Sequence, residues 1–214
     1  MFEEYARHEV LTYAGYIINN DELLECTSGG IATALSKKVL EEGGYVAGVS
    51  YSKDFLKAQY EIIDDVKDLN KFKGSKYIEV DKGTIYKDVK QLLDEEKTVL
   101  FFGLPCVVAA MKSFLHINYE NLITVELICD GPTSVSVHQQ YIEHLEKKHN
   151  SNVIDFSVRK KWVHGHHHIY MQNLLMGSLF KINFTILNMD MHFQLCVDHT
   201  VIIVNFVGMK ELAT

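Results

Sequence analysis

One unbroken apolar run limits the fold more than any other feature of this chain. Residues 98–103 (TVLFFG) lack the polar alternation of a half-exposed strand, so they predict a strand buried on both faces. Residues 105–115 (PCVVAAMKSFL) follow at once and predict a helix, with Pro105 suited to its first turn. Because a buried strand that leads directly into a helix is typical of α/β proteins, this segment sets the fold class.

The neighbouring segments repeat the same alternation. Residues 121–129 (NLITVELIC) predict a second buried strand, and a helix is predicted from about Ser134 to Lys148. Earlier in the chain, residues 31–42 and 84–96 predict helices, and residues 45–51, 58–64 and 76–80 predict strands. The expected fold is therefore α/β, with a mixed, mostly parallel sheet flanked by helices. The helix after Ser134 has Val137, His138, Tyr141, Ile142 and Leu145 on one side.

Composition excludes several classes of function. The formal net charge of -7 and the pI near 5.9 argue against nucleic acid or an anionic membrane as the main partner. The first residues are acidic and lack an apolar leader, and no run reaches the length of a membrane span, so a cytoplasmic protein is expected. The four cysteines, Cys26, Cys106, Cys129 and Cys196, are widely spaced, which favours ligand roles or simple burial over disulfides in a reducing compartment.

Three short segments at predicted strand and helix boundaries indicate cofactor chemistry. They are residues 26–30 (CTSGG), 103–106 (GLPC) and 129–131 (CDG). Open α/β sheets bind cofactors where strands end and helices begin, and glycine lets a backbone approach a phosphate or a ring closely. Thiols at such turns suit soft metal centres or redox work, so the sequence predicts a redox-cofactor domain.

Four motifs in order resemble the coenzyme F420 hydrogenase/dehydrogenase beta-subunit family. They are CTSGGIATAL, FKGSKYIEV, VLFFGLPCVVAAMKSFL and VELICDG, and the resemblance covers about residues 11–162. It implies a flavoprotein that carries FAD and a 4Fe–4S cluster. It also implies electron transfer between the cluster, FAD and a deazaflavin or another acceptor, with a redox partner protein or a small molecule at the other end.

The resemblance also implies roles for individual residues. Ser28, Gly29 and Gly30 would wrap the flavin at a helix N-terminus, where free N–H groups favour phosphate. A second wall of the flavin site would be formed by Gly74, Ser75, Lys76 and Tyr77. The strand–helix turn with Gly103 and Pro105 would also contact the cofactor. Cys106 and Cys129 would be two thiolate ligands of the cluster, which takes four. Leu104, Val107 and Asp130 replace the family's usual threonine, glutamine and histidine, and no catalytic residue is assigned.

The last quarter of the chain departs from the rest. Residues 163–214 contain only five charged residues but six of the eleven histidines, including His164 and residues 166–168. We hypothesise a displaced reading frame that begins near residues 160–162. A one-base shift makes the three-histidine run compatible with the Pro-Pro-Tyr of the family pattern, and the region around Cys196 compatible with its Cys-x-x-Cys. The coding DNA tests this idea, because an alternate frame without Cys-x-x-Cys would contradict it.

These features predict three regions and leave two alternatives open. An N-terminal flavin-binding module would span residues 1–82, the start of a C-terminal beta-subunit module 83–162, and a poorly packed tail 163–214. With half of the cluster ligands missing, we expect weak FAD binding or none, no full cluster and a chain truncated in function. The alternatives are a non-catalytic remnant that serves as a binding domain, and a thiol-based enzyme that uses Cys106 at a helix N-terminus.

Overall fold

Residues 13–129 and 131–157 are described by the computed structural model, together with the backbone of three strands further along the chain. The helices are α1 (Asn20–Glu25), α2 (Ile31–Glu41), a 3-10 helix (Val66–Lys71), α3 (Ile85–Asp94), α4 (Pro105–Leu115) and α5 (Val135–His149). The strands are β1 (Tyr45–Tyr51), β2 (Ala58–Ile63), β3 (Val80–Asp81), β4 (Val99–Gly103), β5 (Leu122–Leu127), β6 (Val153–Ser157), β7 (Met171–Met176), β8 (Lys181–Thr185) and β9 (Ile202–Asn205).

Three parallel strands form the centre of the main sheet. Its order is β3-β2-β1-β4-β5-β9, and β4 pairs in parallel with β1 on one side and with β5 on the other. β2 runs antiparallel to β1, β3 runs parallel to β2, and β9 runs antiparallel to β5. A second, antiparallel sheet has the order β6-β7-β8. The predicted fold class, a mixed, mostly parallel sheet flanked by helices, is confirmed.

The central strand β4 is buried on both faces, as its apolar run predicts. Leu100 is 1% exposed and packs with α2 and the 3-10 helix, while Phe101 is fully buried and packs with α3 and α4. Successive side chains of a strand point to opposite faces, so two apolar neighbours require a layer of helices on each side. The sheet is therefore the middle of three layers.

The α5 helix packs through most of the side that the sequence grouped together. His138, Ile142 and Leu145 are buried and Tyr141 is half-buried, whereas Val137 is 56% exposed. His138 reaches the loop between β1 and β2, where its Nε2 lies 2.7 Å from the carbonyl oxygen of Phe55 and its ring stacks on Tyr51. The histidine is buried because its ring has both a polar partner and an aromatic face there.

The sequence predicted neither α1 nor the 3-10 helix. Asn19 caps α1 by accepting a hydrogen bond from the amide of Glu22, at 3.1 Å. Ion pairs from Glu22 to Lys37 and from Glu25 to Lys73 connect this helix to α2 and to the segment after the 3-10 helix. The predicted third strand is shorter than expected, with β3 at Val80–Asp81 and an isolated bridge at Ile78.

Two expectations concern parts of the chain that are described only in part. The predicted poor packing of residues 163–214 lies outside the described residues, apart from the backbone of β7, β8 and β9. The predicted boundaries at residues 82 and 162 remain predictions. Within the described residues, no helix combines the length and the apolar character that a bilayer crossing requires.

Truncating Met111 tests the layer formed by α3 and α4. Met111 is fully buried in the cluster around Phe101, so we expect Met111→Ala to lower the free energy of unfolding by about 2–5 kcal/mol. Lys112→Ala on the next position of α4 is the control, since the Lys112 side chain is 45% exposed. Urea denaturation followed by circular dichroism measures both, and equal midpoints for the two variants would contradict the assigned core.

Candidate functional site

The carboxyl ends of β1, β4 and β5 meet at one edge of the main sheet. In the register of this sheet Ala47 pairs with Phe101, and Gly103 pairs with Glu126. Only residues 42–44 separate α2 from β1, so α2 runs antiparallel to that strand and its first turn lies toward the same edge. The segments 26–30, 103–106 and 129–131 thus all lie at the end of the sheet where open α/β proteins bind ligands.

The Gly29–Gly30 pair makes its closest approach to the chain itself. Gly30 is the N-cap of α2 with a φ of 78°, and a Cβ atom there would lie 2.5 Å from Ile17 Cδ1. A Cβ atom at Gly29 would lie 2.5 Å from the carbonyl oxygen of Gly15, and the Gly29 carbonyl accepts a hydrogen bond from the Ile17 amide at 2.8 Å. Both glycines are therefore required locally by the segment 15–17. As the N-cap, Gly30 offers no side chain to the first turn of α2.

The segment 74–77 is joined to the residues that follow Cys129. Ile78 forms a parallel bridge with Thr133, the Thr133 amide donates to the Tyr77 carbonyl at 3.1 Å, and the Glu79 amide donates to the Thr133 carbonyl at 2.9 Å. Gly74 has a φ of 82°, and nothing lies within 4 Å of the position of a Cβ atom. Ser75 completes the turn. This loop faces the same edge of the sheet as Cys129.

Lys76 holds the end of the 3-10 helix. Its Nζ lies 2.9–3.2 Å from a ring of four backbone carbonyl oxygens, those of Lys71, Phe72, Lys73 and Gly74, which share its three N–H donors. It also lies 6.0 Å from the centre of the Tyr51 ring. Burial lowers the pKa of Lys76 from its ordinary value of 10.5 to about 8, so the group stays charged at neutral pH. Lys76 thus shapes the loop 72–76 through its own backbone.

Two tyrosines that the sequence did not single out hold the turn that carries Cys106. Tyr60 on β2 donates its hydroxyl to the Phe102 carbonyl at 3.2 Å, and Tyr86 on α3 donates to the Val107 carbonyl at 3.2 Å. Burial is the main cause that raises the pKa of Tyr60, and the charges of Tyr86 and Cys106 raise it further. The turn between β4 and α4 is therefore fixed on both sides of the thiol.

Close packing at Gly103 explains the glycine at the end of β4. A Cβ atom there would lie 2.9 Å from Phe101 Cε1 and 3.0 Å from Val108 Cγ2. Pro105 occupies the first turn of α4, where its missing N–H group costs nothing. Leu104 is the N-cap and offers no side-chain hydrogen bond. The turn presents Cys106 at the second position of the helix.

The three described cysteines divide into one buried and two exposed thiols. Cys26 is 5% exposed, with its Sγ 3.3 Å from Thr33 Oγ1. Cys106 and Cys129 are exposed, and each lies three residues beyond the register pair Gly103 and Glu126 on adjacent strands. Cys129 Sγ accepts a hydrogen bond from the Gly131 amide at 3.2 Å. Cys106 in the first turn of α4 and Cys129 in the loop after β5 thus follow neighbouring strands at the same edge of the sheet.

Comparison with models of known protein families shows to which family this chain belongs. Residues 12–82 match the N-terminal family model of the coenzyme F420 hydrogenase/dehydrogenase beta subunit, and residues 96–198 match the C-terminal model. Together these matches cover more than half of the sequence. The chain belongs to this beta-subunit family. No curated protein matches it.

A solved structure shares the fold of this beta-subunit family member. It is a chain of the F420-reducing NiFe hydrogenase complex from Methanosarcina barkeri, with 18% sequence identity and a TM-score of 0.54. The alignment covers 81% of the present chain and 61% of that chain, so the present chain spans less than two thirds of its length. At this identity the likeness shows the common fold.

The described residues do not by themselves supply the donor set of a 4Fe–4S cluster. Such a cluster takes four cysteine thiolates, and only Cys106 and Cys129 offer exposed thiols in the described part of the chain. No group of three or more histidine, cysteine or acidic residues that could hold a metal occurs there. Cys196 and the histidines at 164 and 166–168 lie outside the described residues.

The same edge has backbone features to which a phosphate-bearing ligand could bind. The N-cap of α2, Gly30, offers no side chain to the first turn, and the turns at Gly74 and Gly131 have positive φ angles with open space beside them. The hydroxyls of Ser50 and Tyr51, at the end of β1, are buried without a hydrogen-bond partner. Protein atoms cover both hydroxyls, so the backbone N–H groups at the helix N-terminus are the better candidates for a phosphate contact.

Replacing Lys76 tests how much its contacts with four backbone carbonyls stabilise the fold. Lys76→Met leaves the carbonyls without their donor, so we expect a loss of about 1–3 kcal/mol in the free energy of unfolding at pH 7. Lys67→Met is the control, since the Lys67 side chain is 90% exposed and its ion pair with Asp65 spans 3.4 Å. Equal stabilities of Lys76→Met and wild type would show that the ring contributes nothing.

The pKa of Lys76 gives this loss a pH dependence. Between pH 8 and 10.5 the unfolded chain holds a proton on Lys76 that the folded chain has lost. The stability of the wild type therefore rises with pH in that window relative to Lys76→Met, and the difference between the two widens. Denaturation curves of both proteins at pH 7, 8, 9 and 10 measure this difference in stability. The titrations of tyrosine and cysteine cancel in the difference because the wild type and Lys76→Met share them.

Thiol labelling tests the placement of the cysteines. We expect iodoacetamide to modify Cys106 and Cys129 at similar rates in the folded chain, and Cys26 only after unfolding, as followed by peptide mass mapping. Labelling in urea is the control for intrinsic reactivity. Fast modification of Cys26 in the folded chain would contradict its burial, and a Cys106 rate far above that of Cys129 at neutral pH would support a thiol-based enzyme.

Proposed function

We propose that this chain is a flavin-dependent electron-transfer oxidoreductase that binds FAD at the carboxyl edge of its main sheet. Its electrons would pass to or from a deazaflavin or another acceptor, as the family description suggests. The observation that carries the proposal is the convergence at one edge of the first turn of α2, the 103–106 turn, Cys129 and the 74–77 loop. Each was singled out separately by a sequence motif.

Four groups of residues would hold the nucleotide. The N–H groups of the first turn of α2, beside Ser28 and the pair Gly29–Gly30, would face a phosphate, since the positive end of a helix dipole favours an anion. Gly74, Ser75, Lys76 and Tyr77 would form a second wall, with Gly103 and Pro105 between the two. When bound, a flavin supplies transfer of a hydride or of single electrons. Lys76 would keep its wall in shape and add a positive charge behind it.

Cys106 and Cys129 are proposed as two of the four thiolate ligands of a 4Fe–4S cluster. Both are exposed, and both follow strands that pair directly. The other ligands are not among the described residues, so we derive no step through a cluster and expect this chain to carry none in full. A redox partner protein or a small-molecule acceptor would then exchange electrons with the flavin directly.

Titration with FAD tests the proposal. We expect weak but saturable quenching of FAD fluorescence, with an affinity that falls about tenfold in Ala34→Glu, because a carboxylate on the exposed side of the first turns of α2 repels the phosphates. Ala34→Gln is the matched control and should bind as the wild type does. The penalty should shrink at high salt and vanish for riboflavin, which has no phosphate.

Transfer of electrons is the second measurement on the same sample. Anaerobic mixing of the FAD-loaded chain with reduced coenzyme F420 should bleach the flavin absorbance faster than for free FAD, as a hydride moves from the deazaflavin to the flavin. Absence of saturable FAD binding would refute the proposed function. Binding without faster bleaching would leave a flavoprotein that uses a different donor.

A further inference from the structure

Residues 13–25 lie against the N-terminus of α2, and we call them the strap. The Ile17 amide in the strap donates a hydrogen bond to the Gly29 carbonyl at 2.8 Å. The second half of the strap contains α1, which ends at its C-cap, Cys26. Cys26 is buried, with its Sγ 3.3 Å from Thr33 Oγ1 of α2, so the strap is anchored where it joins the rest of the chain.

The contact between the strap and the glycine pair leaves no room for even a methyl group. A Cβ atom at Gly29 would lie 2.5 Å from the Gly15 carbonyl oxygen, and one at Gly30 would lie 2.5 Å from Ile17 Cδ1. A Cβ atom at Gly15 would lie 3.3 Å from Ile31 Cδ1, so the strap also reaches the first helical residue of α2. A ligand that approaches the glycine pair from this side must therefore displace the strap.

Little apolar burial holds the strap in place. None of residues 13–25 is buried, whereas α2 has four buried residues. A cleft of about 380 Å³ lies between α1, α2 and the 3-10 helix, so α1 borders open space as well as the protein. Segments with few buried apolar contacts open locally at a small cost in free energy. We therefore expect the strap to open without unfolding of the sheet.

Two ion pairs connect the strap to the elements beside it. Glu22 pairs with Lys37 of α2, and Glu25 pairs with Lys73, which follows the 3-10 helix. The Lys37 side chain is 37% exposed and that of Glu25 is 62% exposed, so water and salt reach both pairs. Ion pairs in contact with solvent stabilise a fold only weakly and are screened by salt. The closed position of the strap thus depends on contacts that are easily broken.

We propose that the strap covers the N-terminus of α2 and excludes a nucleotide from it until the strap opens. In the closed arrangement, which is the one described above, residues 15–17 rest on the glycine pair. In the open arrangement both ion pairs are broken, Cys26 stays in place, and the first turn of α2 is available to a phosphate. Because only the open fraction binds, the strap lowers the apparent affinity for the nucleotide. This part of the inference rests on the proposed flavin function.

Hydrogen–deuterium exchange tests the opening of the strap without any ligand. We expect the amides of Ile17 and Leu23 to exchange about tenfold faster in Ile17→Ala than in the wild type, because the strap loses its packing against Gly30. Ile18→Ala is the matched control and should exchange as the wild type does, since Ile18 is 88% exposed. Amides of β4 should stay equally protected in all three proteins. Equal exchange of the strap in the two variants, or faster exchange throughout the chain in Ile17→Ala, would overturn the proposal.

Removing the ion pairs tests whether the strap limits nucleotide binding. We expect Glu22→Gln/Glu25→Gln to bind FAD about threefold to tenfold faster and more tightly, with an unchanged dissociation rate, as measured by stopped-flow quenching of FAD fluorescence. The matched control is Glu41→Gln/Glu42→Gln, which removes the same charge at the C-terminal end of α2, where Glu42 pairs with Lys38. An equal gain in both double variants would indicate general electrostatic attraction and would refute the covering role.

The outcomes separate the covering role from the function on which it rests. A wild type that binds no FAD refutes the proposed function and, with it, the exclusion of a nucleotide by the strap. If the wild type binds FAD and Glu22→Gln/Glu25→Gln binds it at the same rate, the covering role is refuted and the flavin proposal stands. Faster exchange of the strap in Ile17→Ala, together with faster FAD binding in Glu22→Gln/Glu25→Gln alone, supports both.

Discussion

Parallel pairing of β1, β4 and β5 is the constraint on which the rest of this structure depends. Leu100 and Phe101 are adjacent on β4 and almost completely buried, so helices must cover both faces of the sheet. Each covering helix returns the chain to the same end, which brings the strand–helix turns to a common edge. A shift of one residue in register would move Leu100 and Phe101 to the wrong layers and separate Cys106 from Cys129 along that edge.

Polar groups at this edge fall into two contrasting states. The Lys76 ammonium has four carbonyl partners, and the tyrosines of β2 and α3 each bind a backbone carbonyl beside Cys106. These contacts satisfy the polar groups that hold the two loops in place. The hydroxyls of Ser50 and Tyr51, at the end of β1, are buried without a partner.

Helices and strands with strong periodicity were predictable, and short polar elements were not. The predicted helix 31–42 and the strand 45–51 agree with α2 and β1 to within a residue. The 3-10 helix at Val66–Lys71 escaped prediction because its charged sequence has no apolar period, and its end is held by a lysine that follows it in the chain. The burial of His138 depends on a distant carbonyl, that of Phe55, which the sequence does not indicate.

The sequence alone determined the fold class, because buried strands, helix periods and glycine turns are local patterns that the residues themselves carry. It indicated the family through four motifs that resemble those of the beta subunits. It also located the segments 26–30, 74–77, 103–106 and 129–131. Only the tertiary structure decided which contacts these segments make: the glycine pair against residues 15–17, Lys76 in its ring of carbonyls, and Ser50 without a partner. Those outcomes depend on which atoms lie nearby after folding, and the sequence separation between them carries no signal of that distance.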